Sequence, residues 1–71
     1  MTRDQIVRAV QRNTPFTLRM ADGREYTVPH RDFITVPPNA SFVIVVDRQG
    51  KDFDVLPLLT VTGLHQAGEA P

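Results

Sequence analysis

The stretch "LRMADGREYTV", residues 18–28, constrains the fold more than any other part of the chain. Apolar and polar residues alternate on both sides of Asp22-Gly23, which is the pattern of a β-hairpin. The length of its loop decides which side chains share a face. A two-residue Asp22-Gly23 loop sets Leu18 opposite Thr27 and Arg19 opposite Tyr26. The two apolar sets then lie on opposite faces, which is costly wherever one face is buried. A three-residue Ala21-Asp22-Gly23 loop sets Leu18 opposite Tyr26, Phe16 opposite Val28 and Arg19 opposite Glu25. The apolar pairs now share one face and the ion pair takes the other. That loop is a type I turn closed by a left-handed glycine in a bulge, so Gly23 requires positive φ. Asp22 and Gly23 therefore read as structural turn residues.

The period before Pro15 is helical. Thr2 and Gln5 have the spacing of a capping box, and Asp4 falls in the first turn, where the helix dipole favours an acid. Ile6, Val7 and Val10 form an apolar stripe, and a helix over about residues 2–13 is expected, closed by Asn13 and Pro15. After the hairpin, Pro29 interrupts the strand. Phe33, Ile34 and Val36 read as a short strand, and Pro37-Pro38-Asn39 as a loop. "SFVIVV", residues 41–46, is apolar at both parities. Phe42, Ile44 and Val46 share one face, of which Phe42 and Ile44 are expected in the core, and Val43 and Val45 lie on the other. "DRQGK" turns the chain into Phe53 and Val55. Leu56-Pro57-Leu58 reads as a tight turn, and Leu59, Val61 and Leu64 as the last strand.

A helix followed by about five short strands is the element list of a mainly β domain, a small, strongly bent five-stranded barrel of Sm-like or SH3-like type. Residues 1–64 are expected to form this single domain, with 65–71 a frayed tail. The predicted core is Ile6, Val10, Phe16, Leu18, Tyr26, Val28, Phe42, Ile44, Phe53 and Leu59.

Seventy-one residues permit one domain, and a chain this short buries only about 60% of its unfolded surface. It has no cysteine, so neither disulfides nor thiolate metal sites can supplement that core. Oligomerisation or tight packing remains. The formal net charge is zero, which argues against a dedicated electrostatic DNA binder. The charges are nevertheless uneven, with a balance of +3 over residues 1–31 and −3 over residues 32–71. No segment reaches the roughly 18 apolar residues of a membrane span, and the N-terminus lacks an apolar signal region, so a cytoplasmic location is expected.

Two resemblances follow from these residues. Pro15-Phe16, Asp22-Gly23-Arg24, Tyr26, Val28, His30, Asp32 and Phe33 resemble a pattern shared by short bacterial proteins of unknown function, with Arg31 where that pattern has proline. The resemblance brings no activity with it. The helix, "TLRMADGREYTV" and "LPLLTVTGL" are similar in order to Sm-like barrels, including the bacterial Hfq type. This implies a barrel and a ring. The bend glycine of the family's second strand is missing here, as are its Asp-x-x-x-Asn and Tyr-Lys-His signatures.

Few residues offer chemistry. His30 and Asp32 supply two hard ligands where a metal site needs three or four, so no metal or cofactor is expected. Ser41 lacks a nucleophile elbow. Asp52 and Asp54 alternate on one face without a desolvated cleft, and no enzyme is expected. Two functional readings remain. One is a non-catalytic assembly or protein-interaction module, a homo-oligomer contacting its neighbour through Val43 and Val45. The other is an Sm-like RNA binder using Arg3, Arg8, Arg12 and Arg19, with Phe33 or Tyr26 as a stacking platform.

Overall fold

The computed structural model describes residues 1–47 and 49–67, so the part of the expected tail from residue 68 onward lies outside the described residues. The chain is mainly β with one N-terminal helix, α1 (Arg3–Gln11). Thr2 caps α1, and the reciprocal bonds of the capping box with Gln5 are both present. Asn13 closes the helix at φ 58°. Ile6 and Ala9 are the buried residues of α1, and Val10 packs against the core while only half-buried.

Polar ties fix the helix at both ends. The Arg3 guanidinium donates to the carbonyl oxygens of Pro37 at 3.2 Å and Val36 at 3.5 Å. The Gln66 amide donates to those of Ala9 at 2.9 Å and Thr14 at 3.2 Å, supplying partners where a helix end leaves its carbonyls unpaired.

Six strands follow: β1 (Phe16–Met20), β2 (Glu25–Val28), β3 (Ile34–Thr35), β4 (Phe42–Val46), β5 (Phe53–Pro57) and β6 (Val61–Gln66). They form two antiparallel sheets of three strands, ordered β2-β1-β6 and β3-β4-β5. Among the described residues no ladder joins the two sheets, so the expected closed barrel is not traced by strand pairing. A 3-10 turn at Arg31–Phe33 leads into β3, and another at Leu58–Thr60 leads into β6. The last strand extends through His65 and Gln66, which pair with Thr17 and Phe16, so these two residues belong to the sheet rather than to a tail.

The β1-β2 register is the one that the three-residue loop requires: Phe16 opposite Val28, Leu18 opposite Tyr26 and Arg19 opposite Glu25. Gly23 adopts φ 91° and donates to the Met20 carbonyl at 3.0 Å.

The core differs from expectation in the second sheet. Val43 and Val45 are 0% and 5% exposed, so the stripe expected to face a neighbour lies inside the protomer. Phe42, Ile44 and Val46 take the outward side and are only half-buried. The reason is the pairing: Val43 lies opposite Leu56 and Val45 lies opposite Ile34, and both of those partners are buried. Cross-strand partners share a face, so β4 turns this parity inward. Phe53 and Leu59, expected in the core, are 65% and 92% exposed. Leu59 belongs to the second 3-10 turn, where Leu58 is the inward residue, and not to the last strand. Met20, Leu56 and Val61 complete a core with no buried polar or charged residue among those described.

Candidate functional site

The outward faces of the two sheets differ in chemistry. On the first sheet, Thr17 faces Thr27 and His65, while Arg19 faces Glu25 and Gly63. That face is polar, and Arg19 and Glu25 are joined at 3.1 Å. On the second sheet, the register aligns Phe42 with Pro57, Ile44 with Val55 and Val46 with Phe53. These six apolar residues make one continuous outward patch, with Thr35 beside Ile44 on β3. Phe53, Val55 and Pro57 are its exposed members, the first two at 65% and 51%. Scattered exposed apolar residues are ordinary, whereas a contiguous set on one sheet face is a candidate contact surface.

The patch runs to the edge of the sheet, because among the described residues β5 pairs only with β4. Beside that edge lies an open groove of about 480 Å³, with Met20, Tyr26, Leu56 and Pro57 among its apolar walls and Asp22, Arg24 and Asp54 as its charges. Asp22 and Arg24 are engaged with each other. The Asp22 carboxylate accepts from the Arg24 main-chain N–H at 3.0 Å and from its guanidinium at 2.7 Å. The main-chain bond is the larger cause holding the Asp22 carboxyl below its ordinary value, and the side-chain bond comes second. The same side-chain bond raises the Arg24 value. Asp54 has no ion pair among the described residues.

The arginines singled out for nucleic acid do not converge. Arg3 is engaged with the Val36 and Pro37 carbonyls, and Arg19 with Glu25. Arg8 and Arg12 are exposed on and just beyond α1, with no ion pair among the described residues. Of the two aromatics offered for stacking, both Tyr26 and Phe33 are half-buried and pack against the core. His30 serves its own turn, since its Nδ1 accepts from the Asp32 main-chain N–H at 3.2 Å. No three metal-ligating side chains gather among the described residues. Among the described residues, no helix is long and apolar enough to cross a membrane.

The outward set Phe42, Ile44, Val46, Phe53, Val55 and Pro57 was missed as a surface. The alternation of Phe53 and Val55 with Asp52 and Asp54 looks like that of a core strand. The signal that distinguishes them is Leu56 followed by Leu58: two residues of the opposite parity that lie where β5 meets the body of the domain.

Comparison of the chain with protein-family models, curated proteins and solved structures finds no match.

Proposed function

We propose that this chain is a non-catalytic interaction module, a small bent barrel that assembles with copies of itself through its second sheet. The observation that carries this reading is the contiguous patch of Phe42, Ile44, Val46, Phe53, Val55 and Pro57. A 71-residue chain has little core of its own, and a neighbour adds the burial that it lacks. The contact residues expected from the sequence, Val43 and Val45, give way to their neighbours of opposite parity. The topology also suits a barrel: β2 and β3 are separated only by Pro29, a bend at His30 and a 3-10 turn, and β6 returns to β1. This is the order that the Sm-like resemblance implies.

Light scattering at tens of micromolar tests the reading. The expected mass is a multiple of the 8.0 kDa protomer, and Phe53→Lys should return it to the protomer value with the fold intact. A protomer mass for the unaltered chain would remove the reading.

Arg8 and Arg12, exposed and without an ion pair among the described residues, favour a second reading, an RNA-binding surface on the helix. Binding of a single-stranded oligonucleotide that weakens steeply with added salt would support it, and no binding at low salt would remove it.

A further inference from the structure

The outward face by itself is too small to hold a second copy. Two strands of five residues and one of two, spaced by about 4.8 Å with a rise of about 3.3 Å per residue, present roughly 190 Å². A stable interface takes about 800 Å² from each partner. The contact must therefore extend beyond the face, and the free edge of β5 is continuous with it. Phe53 and Val55, 65% and 51% exposed, lie on that edge strand.

The hydrogen-bond phase of β5 shows what its edge can accept. The Asp47 N–H donates to the Asp52 carbonyl at 3.0 Å, and the Leu58 N–H to the Ser41 carbonyl at 2.8 Å. Bonded and non-bonded pairs alternate along an antiparallel ladder. Between those two bonds, Val45-Asp54 and Val43-Leu56 are thus the bonded pairs. Phe53 and Val55 turn their N–H and C=O groups away from β4, toward the open edge. Pro57 has the same phase but no N–H, and its carbonyl accepts from the Thr60 hydroxyl at 2.9 Å. The free edge therefore offers two complete donor-acceptor sets and ends at a proline.

We propose that a second copy adds at this edge in antiparallel fashion, β5 against β5, with the two-fold axis at Val55. This rests on the assembly reading above and adds its register. An axis at Asp54 would put two carboxylates directly opposite each other, at the close spacing of a non-bonded pair. An axis at Phe53 would set Asp52 opposite the partner's Asp54. At Val55 no like charges meet. Each Val55 exchanges both of its main-chain bonds with the partner's Val55. Each Phe53 N–H donates to the carbonyl of the partner's Pro57, and the Phe53 ring lies against that pyrrolidine. Asp54 lies beside the partner's Leu56. The two outward patches then become one continuous face on a six-stranded sheet.

An isotope-mixed sample of the unaltered chain, half carbon-13-labelled and half unlabelled, tests the register by filtered nuclear Overhauser contacts. Residues 53 and 57 of one strand are about 13 Å apart, so a contact between the Phe53 ring and the Pro57 ring has to cross between copies. That contact is the expected result. A dimer whose cross-copy contacts avoid this pair overturns the register and leaves the assembly reading standing; a protomer mass overturns both. Val55→Pro supplies an independent arm. It removes only an outward N–H, which an edge strand tolerates, and should weaken dimerisation roughly 10–100-fold without unfolding the protomer. Unchanged dimerisation of a folded Val55→Pro chain would also overturn the proposal.

Discussion

Exchanging valine for threonine at two positions of β4 separates the inward from the outward side with a single chemical change. The substitution keeps β-branching and shape, so strand propensity and volume are nearly constant and only the environment of a new hydroxyl differs. Val43 is fully buried, at 0% exposure. There the change loses a buried methyl worth about 0.8 kcal/mol and buries an unpartnered hydroxyl that costs roughly 1–3 kcal/mol. The combined loss is about 2–4 kcal/mol, against a total stability of roughly 4–10 kcal/mol for a domain of this size. Val46 faces outward opposite Phe53 and is half-buried, so its hydroxyl can reach water and the loss should stay below about 1 kcal/mol. Urea unfolding at low micromolar concentration, followed by circular dichroism, measures both. With a slope near 1 kcal/mol/M, the Val43→Thr midpoint should fall by about 2–4 M. Equal midpoints, or a larger fall for Val46→Thr, would mean that the faces of β4 are assigned the wrong way round.

Other expectations follow from the same structure. Phe16→Ala should cost about 3–5 kcal/mol, leaving the domain largely unfolded at 37 °C in a thermal melt. Gly23→Val should cost on the order of 1–2 kcal/mol through backbone strain at φ 91°, since no atom lies within 4 Å of the added Cβ to clash with it. Arg19→Ala should shift the urea midpoint little, because its pair with Glu25 is largely exposed, whereas a loss above about 1 kcal/mol would contradict this. The folded chain holds the Asp22 carboxyl below its ordinary value of 3.8, so this contribution is complete above that pH and is lost as pH falls through the lower, folded value. Asp22→Asn should accordingly flatten the decline of stability below pH 4, measured by urea titration at several acidic pH values.

The hairpin was legible because its two strands have apolar residues at one parity only, so one loop length satisfies both. The cap of α1 was legible because Thr2 and Gln5 need only local spacing. The second sheet was not. Residues 42–46 are apolar at both parities, and such a run carries no record of its inward face. Its partners decide the matter, and those partners misled: Phe53 and Val55 alternate with Asp52 and Asp54 more cleanly than Leu56 and Leu58 do with their neighbours. What places Leu56 inside is tertiary, namely where β5 reaches the body of the domain and where the second 3-10 turn bends the chain back. Leu59 was misplaced for the same reason, since a three-residue turn inverts the parity carried over from β5. The outward patch, and with it the candidate contact surface, follows from these two reversals.

The position of β1 at the centre of its sheet bears on the order in which the molecule can be made. Its hairpin with β2 is local, as is that of β4 with β5, and hairpins close within about 1–10 μs. The pairing of Phe16–Met20 with Val61–Gln66 is different, for it joins the beginning of the chain to its last described strand. Contacts of such sequence separation slow folding, because loop closure must precede any gain from pairing. On a ribosome adding roughly 5–20 residues per second, the interval between the emergence of Met20 and of Gln66 is about 2–9 s. Through that interval β1 has one edge unpaired, and Leu18 and Met20 lack the cover that Val61 later supplies. The helix end waits too, since Gln66 carries the amide that reaches the Ala9 and Thr14 carbonyls. The nascent chain thus presents two open edges, β1 and β5, of which folding closes only the first.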